Sequence, residues 1–211
     1  MVSITDIQRD SLLNLKFSPY IEEMRQYAKN NNVPIIQDEG LAFLKAIVKL
    51  YKPKKILEIG TAIGYSSSLM SIYSDAEIYT IERDENMYNE AIKNISALGL
   101  CDKIHVIFKD ALLITDELDN LTFDMIFIDA AKGQYTNFFN KFEPYLNEKG
   151  IVVSDNMLFH GFLENPETIK SRNLRALMRK LKGYHEFLLN NTNYDTSIYS
   201  LGDGMALSIR K

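Results

Sequence analysis

The run Phe-Asp-Met-Ile-Phe-Ile-Asp-Ala-Ala-Lys (123–132) sets the fold, together with Gly-Ile-Val-Val-Ser-Asp-Asn (150–156). In each run a short apolar stretch ends abruptly in side chains that carry oxygen atoms. An apolar stretch of this length predicts a strand buried on both faces, which is typical of a parallel sheet. Polar groups just past the carboxyl ends of such strands lie in the crevice where α/β folds bind ligands.

Three oxygen-bearing side chains, Asp129, Asp155 and Asn156, follow these two strands. Two carboxylates and an amide, without Cys or His, suit a hard divalent cation such as Mg²⁺. The alternative is structural: Asp155 and Asn156 start a turn, and Asp129 caps the next helix. Either run alone leaves both interpretations open, and the two runs together with the glycine motif upstream favour the metal interpretation.

Candidate strands and helices alternate from Lys55 onward. The strands are predicted at 55–60, 77–82, 104–109, 123–129 and 149–154, and the helices at 65–73, 84–98, 111–118 and 135–146. Such alternation makes a parallel sheet with right-handed crossovers. A longer helical segment follows at 165–189, and two final strands at 195–201 and 204–210 are close enough to form a hairpin.

We therefore predict an α/β fold with a Rossmann-like, doubly wound sheet of seven strands and a C-terminal β-hairpin. One domain would span residues 1–211, with a helical extension at 1–51 and the core at 52–211. Within the extension, Ser18-Pro19 predicts a helix start, and Asn30-Asn31-Asn32 predicts its end. Residues 33–36 are then an extended linker, and residues 37–51 are helical.

The composition narrows the function classes. The 28 acidic residues outnumber the 24 basic ones, which argues against global electrostatic binding to nucleic acid but leaves room for a local basic patch. The one cysteine, Cys101, cannot form an intramolecular disulfide and fits a reducing cytosol. The N-terminus does not look like a signal peptide, and no apolar run approaches the length of a membrane span. We therefore expect a cytoplasmic protein without membrane association.

A glycine-containing loop follows the first strand, with Gly60 and Gly64 inside residues 58–66. It is neither a dinucleotide fingerprint, which would need another glycine at 62, nor a phosphate loop. Glu82, 22 residues after Gly60, ends the second strand, where an acid typically accepts hydrogen bonds from a ribose diol. Asp110 follows the third strand and can reach an adenine amino group. The alternatives are an ordinary strand-helix turn for the glycines and a cap on the helix beginning at Asp84 for Glu82.

This ordered set of residues resembles the class I S-adenosylmethionine-dependent methyltransferases over roughly residues 20–211. Within that class it is similar to the cation-dependent O-methyltransferase family, which includes catechol and caffeoyl-CoA methyltransferases. The specific stretches are 58–66, 128–132 and 154–156. Three further stretches, 127–135, 155–159 and 202–206, are most similar to the bacterial tRNA 5-hydroxyuridine methyltransferases.

The resemblance implies two cofactors, S-adenosylmethionine and Mg²⁺ or another divalent cation, and also a homodimer. The residues that would contact S-adenosylmethionine are Ile36, Glu58, Gly60, Gly64, Tyr65, Ser66, Glu82, Asp110, Ala111 and Asp129. The metal ligands would be Asp129, Asp155 and Asn156. Lys132 is the family's candidate base, and with Asp129 it forms the catalytic pair. The alternative for Lys132 is a solvated residue at a helix start.

Methyl transfer from a sulfonium needs an oxygen nucleophile that is at least partly ionised. A divalent cation bound to that oxygen lowers its pKa, and a neighbouring oxygen of the same substrate can chelate the same ion. 5-Hydroxyuridine carries such a pair in its 5-hydroxyl and its 4-carbonyl. A lysine beside a cation and a sulfonium has its ammonium form disfavoured by like charge, so Lys132 could act as a base.

Basic residues cluster between Glu167 and Gly183: Lys170, Arg172, Arg175, Arg179, Lys180 and Lys182. On a helix, Arg172, Arg175, Arg179 and Lys182 fall on one side, as binding to a phosphate backbone would require. The alternative is an ordinary solvated face. Tyr184, His185 and Phe187 follow and could either stack on an extruded base or belong to the core.

Three functions remain open. The first is an Mg²⁺-dependent tRNA methyltransferase that converts 5-hydroxyuridine at the wobble position to 5-methoxyuridine. The second is a small-molecule O-methyltransferase for catechols or caffeoyl-CoA-like vicinal diols. The absence of tryptophan argues mildly against a small catechol as the acceptor. The third is a non-catalytic cofactor-binding or interaction protein, which an intact metal triad with Lys132 disfavours.

Overall fold

The computed structural model describes residues 18–158 and 171–211, and seven strands of this part form one sheet. They are β1 (Lys55–Ile59), β2 (Glu77–Glu82), β3 (Ile104–Phe108), β4 (Phe123–Ile128), β5 (Leu146–Ser154), β6 (Tyr194–Tyr199) and β7 (Met205–Arg210), in the order β3-β2-β1-β4-β5-β7-β6. Strands β1 to β5 are parallel, and β7 runs antiparallel to β5 and to β6. The predicted Rossmann-like sheet with its C-terminal hairpin is confirmed.

Helices cover both faces of this sheet. They are α1 (Pro19–Asn31), α2 (Asp38–Tyr51), α3 (Tyr65–Tyr73), α4 (Glu85–Ala97), α5 (Tyr135–Phe142) and α6 (Arg172–Asn190). Successive residues of a strand point to opposite faces. In β4, Met125 and Phe127 accordingly pack in the cluster with α1 to α4, whereas Ile126 and Ile128 pack in the cluster with α5 and α6. This double burial explains why β4 is almost entirely apolar.

The N-terminal helices begin and end where the sequence predicts. Ser18 caps α1 by accepting a hydrogen bond from the Ile21 amide, and Pro19 occupies its first turn. Asn32 ends α1 in the left-handed conformation, with φ 53°. An extended linker at residues 33–37 then leads to α2.

Two predicted helices differ from the structure. Instead of a helix at 111–118 there is a single 3-10 turn, Ala111–Leu113. Ile114 leaves the helical conformation, with ψ 133°, and the Thr115 amide donates to Glu117 Oε2 at 2.9 Å instead of to a preceding carbonyl oxygen. The helix predicted at 135–146 ends at Phe142, because Pro144 has no amide hydrogen, and β5 starts at Leu146 rather than 149.

Only part of the predicted 165–189 helix can be compared. In the described part α6 starts at Arg172 and continues to Asn190, and Ser171 caps it. Residues 165–170, including Lys170, lie outside the described residues, as do residues 1–17. Among the helices that the structure describes, none is both long enough and apolar enough to cross a membrane.

Candidate functional site

A cavity of about 780 Å³ lies at the carboxyl ends of the parallel strands, and its size is typical of small-molecule sites. Most of the predicted site residues line this one cavity. They are Ile36, Gly60, Tyr65, Ser66, Glu82, Asp110, Ala111, Asp129, Lys132, Asp155 and Asn156. The predicted cofactor loop and the predicted metal ligands thus line the same cavity.

Gly60 is where the end of β1 passes closest to the end of β4. Its φ is 101°, and a Cβ atom placed on it would lie 2.1 Å from the Asp129 carbonyl oxygen. No side chain fits in that space, because both the backbone conformation and the contact with another backbone exclude it. The glycine therefore keeps the loop close to Asp129 and leaves the adjoining cavity open.

The Glu82 carboxylate is held at the cavity wall by three backbone amides. Its Oε1 accepts from the amides of Arg83 and Asp84, and its Oε2 accepts from the Ala62 amide, each at 2.8 Å. Asp84, not Glu82, caps the helix that follows, because its Oδ1 accepts from the amides of Asn86 and Met87. The helix-cap alternative for Glu82 is therefore wrong.

Asp110 lies in the same wall after β3. Its Oδ1 accepts from the Leu112 amide at 2.9 Å, and its Oδ2 accepts from Arg83 Nη1 at 3.2 Å. These bonds fix the carboxylate beside Ala111, which also lines the cavity.

Two predicted cofactor residues lie beneath the loop rather than in the cavity wall. Glu58 is fully buried, and its carboxylate accepts hydrogen bonds from Ser66 Oγ at 2.5 Å and Thr80 Oγ1 at 2.6 Å. Gly64 starts α3 at φ 77°, and a Cβ atom there would lie 3.4 Å from Ala91 on α4. Both residues thus act on the loop: Glu58 by orienting Ser66, and Gly64 by close helix packing.

Burial raises the pKa of Glu58 to about 7, against the opposing effect of the hydrogen bonds from Ser66 and Thr80. Because the folded chain holds this proton more tightly than the unfolded chain, the residue stabilises the fold less as pH rises from about 4.5 to about 7. The Glu58→Gln variant should therefore gain stability relative to wild type between pH 5 and pH 8, by at most about 3 kcal/mol. Thermal unfolding across that range checks this, and a stability difference independent of pH would contradict it.

The three predicted metal ligands meet at the ends of β4 and β5. Asp155 is buried, and Asp129 is half-buried at the cavity surface. The Asn156 side-chain amide lies 3.5 Å from Asp129 Oδ1, and the Asn156 backbone amide donates to Asp155 Oδ1 at 2.6 Å. The three side chains therefore form one cluster of oxygen donors.

Asn156 has a left-handed backbone, with φ 61°, and its neighbours hold it there. On one side, the Tyr135 hydroxyl donates to the Asp155 carbonyl oxygen at 3.1 Å. On the other side, the Met157 amide donates to the Gly204 carbonyl oxygen at 2.9 Å. A strained conformation of this kind persists only where the surroundings fix it, and it is common at functional sites.

The electrostatics of the cluster fit a divalent cation. Burial raises the pKa of Asp129 to about 6, and the nearby Lys132 ammonium opposes this rise. Burial also raises the pKa of Asp155 above its usual range, and the charge of Asp129 adds to the rise. Within residues 18–158 and 171–211 no group of three His, Cys, Asp or Glu side chains forms a metal site. Two carboxylates and one amide offer hard oxygen ligands, which suit Mg²⁺.

Some cavity residues have no pattern in the sequence that predicts them. Gln37 lies just before α2, Arg83 just after β2, and Asp203 in the β6–β7 turn, and all three line the cavity. Asp203 is far from the metal ligands in sequence, but its backbone carbonyl accepts from the Leu158 amide at 2.7 Å. Only the Gly-Asp-Gly run at 202–204, which the resemblance includes, could have indicated it.

The basic side chains of α6 lie outside the cavity. Arg172, Arg175, Arg179 and Lys182 are exposed along one side of the helix. The same helix packs against the turn that carries Lys132, since a Cβ atom on Gly133 would lie 3.5 Å from the Lys180 side chain. The exposed basic side therefore belongs to an element that borders the cavity.

The aromatic residues at the end of α6 belong to the core. Tyr184 is fully buried, and its hydroxyl shares a hydrogen bond of 2.8 Å with Ser154 Oγ. His185 Nε2 donates to the Met157 carbonyl oxygen at 2.7 Å. Phe187 packs edge-on against Phe139, with ring centroids 5.2 Å apart. Packing in the core is therefore the correct alternative for Tyr184 and Phe187, and His185 is half-buried beside them.

Comparisons with known proteins agree with this geometry. Residues 14–211 match the family model described as O-methyltransferase. The flavonoid 3',5'-methyltransferase of Vitis vinifera is 30% identical over 196 residues, which cover 89% of this chain and 82% of that protein.

Solved structures match over almost the entire chain. A Staphylococcus aureus protein provisionally named a caffeoyl-CoA O-methyltransferase is 36% identical, with a TM-score of 0.91 over 99% of this chain and 100% of its own. The O-methyltransferase TomG of Streptomyces achromogenes, solved with S-adenosylmethionine, shares the fold at 22% identity, with a TM-score of 0.83 over 100% of this chain and 97% of its own. The chain thus belongs to the O-methyltransferase family, whose enzymes take their methyl group from S-adenosylmethionine.

Proposed function

We propose that this enzyme methylates a hydroxyl that has a second oxygen beside it, with the help of a divalent cation. One observation carries this proposal: Asp129, Asp155 and Asn156 line the same cavity as the Gly60 loop and Glu82. A methyl donor and a chelated acceptor could therefore be held side by side. An in-line displacement needs that arrangement.

The donor half of the cavity fits S-adenosylmethionine. After its three backbone bonds the Glu82 carboxylate has about one of its roughly four acceptor sites left, on Oε2, and this site could accept from a ribose hydroxyl. Asp110 and Ala111 lie where the adenine would extend, and Gly60 allows the backbone to approach the ligand.

The acceptor half would use the oxygen cluster and Lys132. Asp129, Asp155 and Asn156 would hold the cation, which lowers the pKa of a hydroxyl bound to it and fixes its direction. Lys132 lines the cavity close enough to Asp129 and Asp155 to shift the pKa of both. We infer that Lys132 would accept the proton of the acceptor hydroxyl once the like charges of a bound cation and the sulfonium disfavour its ammonium form, while Asp129 and Asp155 would hold the cation that aligns the acceptor.

Small aromatic vicinal diols are the first candidate acceptors. Two relatives are named a flavonoid methyltransferase and a caffeoyl-CoA O-methyltransferase, and both names refer to small aromatic compounds. The neighbouring hydroxyls of a vicinal diol could both face the oxygen cluster, and the cavity volume accommodates a ring beside the donor.

The second candidate acceptor is 5-hydroxyuridine at the wobble position of tRNA, whose methylation would give 5-methoxyuridine. The basic side of α6 favours it, because Arg172, Arg175, Arg179 and Lys182 are exposed on a helix that borders the Lys132 turn. A row of basic side chains is what a phosphate backbone requires.

Charge reversal on α6 separates the two candidates. Changing Arg172, Arg175 and Arg179 together to Glu should lower methylation of 5-hydroxyuridine-containing tRNA by at least about 100-fold, because several phosphate contacts become repulsive. Methylation of catechol, which carries no phosphate, by the same variant should stay within about twofold. A mass-spectrometric assay of the methylated products measures both.

The matched control changes three exposed lysines to Glu: Lys52, Lys54 and Lys103. They lie before the amino ends of β1 and β3, whereas the cavity lies at the carboxyl ends. Both triple variants change the net charge by the same amount. If both lose tRNA methylation equally, the loss is due to the overall charge and not to the basic side of α6. Nucleoside analysis of tRNA from a strain without this protein completes the test. Unchanged 5-methoxyuridine there would exclude the tRNA acceptor and leave the small diols.

A further inference from the structure

Arg25 joins two parts of the cavity wall without lining the cavity itself. Its guanidinium lies on α1 and forms a fork with Asp38, at 2.6 Å from Nη1 to Oδ1 and 3.1 Å from Nη2 to Oδ2. The same Nη1 donates to the Tyr65 hydroxyl at 3.0 Å. One side chain thus holds residues from two different helices, α2 and α3.

Both of these partners lead directly into the cofactor half of the cavity. Tyr65 is the first residue of α3, immediately after the glycine loop, and it is buried in the cavity wall. Asp38 is the first residue of α2, and residues 34–37 just before it also line the cavity. The hydrogen bonds of one guanidinium therefore link the start of α2 to the start of α3, and both starts adjoin the cavity.

The far side of the linker is packed as well. A Cβ atom on Gly202, in the β6–β7 turn, would lie 3.3 Å from Gln37 Oε1. The linker consequently lies between the hairpin turn and the Arg25–Asp38 pair.

We propose that Arg25 is a positioning residue for S-adenosylmethionine, which keeps residues 34–37 and Tyr65 arranged around the cofactor before it binds. Hydrogen bonds between a guanidinium fork and a carboxylate are directional as well as strong, so they fix the orientation of Asp38 as well as its distance. Without them, the linker would have to be ordered when the cofactor binds, and the entropy lost would weaken binding. This inference depends on cofactor binding in the cavity and not on the identity of the acceptor.

Calorimetric titration of the full chain with S-adenosylhomocysteine tests the proposal without any acceptor or metal. Arg25→Ala should weaken binding by at least about tenfold. Arg25→Lys should recover part of the loss, because an ammonium can contact Asp38 but cannot form the fork. Tyr65→Phe should weaken binding less than Arg25→Ala, because the Asp38 fork remains.

Glu22→Gln is the matched control, since Glu22 Oε2 lies 3.5 Å from Arg25 Nε but Glu22 does not line the cavity. It should bind S-adenosylhomocysteine within about twofold of wild type. Melting temperatures without ligand show whether each variant is folded. Wild-type affinity in folded Arg25→Ala, or an equal loss in Glu22→Gln, would overturn the proposal. If Arg25→Ala does not fold, wild-type affinity in both Arg25→Lys and Tyr65→Phe would overturn it.

Discussion

Replacement of Asp155 by Asn should lower methyl transfer by at least about 100-fold while S-adenosylhomocysteine still binds within a few-fold of wild type. The side chain keeps its shape but loses the negative charge that a divalent cation needs. Cofactor affinity should persist, because the Gly60 loop, Glu82 and Asp110 are unchanged. Methyl transfer is measured with excess Mg²⁺, and cofactor binding by calorimetry.

The same variant should be at least as stable as wild type without metal. Burial and the charge of Asp129 raise the pKa of Asp155, so its ionised form weakens the fold when no cation is present. Because the folded-state pKa is the higher one, this cost grows as pH rises above the ordinary carboxyl range, and the advantage of Asn grows with it. Asp75→Asn, the same change at an exposed position near the amino end of β2, is the control. Wild-type turnover by Asp155→Asn would contradict the assigned role.

Replacement of Gly60 by Ala should abolish cofactor binding or prevent folding. The new methyl group would lie 2.1 Å from the Asp129 carbonyl oxygen, which is backbone and cannot rotate away. Either the ends of β1 and β4 separate or the loop moves into the cavity. Yield of soluble protein, melting temperature and S-adenosylhomocysteine affinity together measure the damage.

Gly99→Ala separates steric overlap from backbone strain. Gly99 also has a positive φ, of 68°, but nothing lies within 4 Å of a Cβ atom placed there. Its substitution should cost only about 1 kcal/mol of stability from the left-handed conformation and leave cofactor binding intact. A Gly60→Ala variant as mild as Gly99→Ala would show that the two strand ends are not as close as described.

Much of the fold could be predicted because burial leaves a clear mark on the sequence. Strand β4 is apolar at almost every position since both its faces are covered, and helices α1 and α4 carry capping residues at their starts. The helix predicted at 111–118 is not formed. Ile114 is outside the helical range and the Thr115 amide is bound by the Glu117 side chain, and the apolar spacing of this segment indicates neither.

The residues of the candidate site also fall into two groups, those that the sequence could predict and those that it could not. Residues at or just after the carboxyl ends of strands, such as Glu82 and Asp129, could be placed because the ends of parallel strands lie side by side. Glu58 and Gly64 lie beneath the loop and not in the cavity wall, and a linear pattern does not show how deeply a residue is buried. Asp203 reaches the cavity through the turn of a hairpin, and Arg25 contacts two residues next to the cavity from a helix outside the sheet, so both placements depend on the assembled chain.

The most direct test of the cation-assisted mechanism is methyl transfer with and without chelator. The assay would follow S-adenosylhomocysteine formation by wild-type enzyme with caffeoyl-CoA, catechol and 5-hydroxyuridine-containing tRNA, each beside a counterpart that lacks one of the two neighbouring oxygens. We predict turnover only with an acceptor that has both oxygens, its loss in EDTA, and its recovery when Mg²⁺ is added in excess. Full activity in EDTA, or equal activity on the counterparts with a single oxygen, would contradict the mechanism.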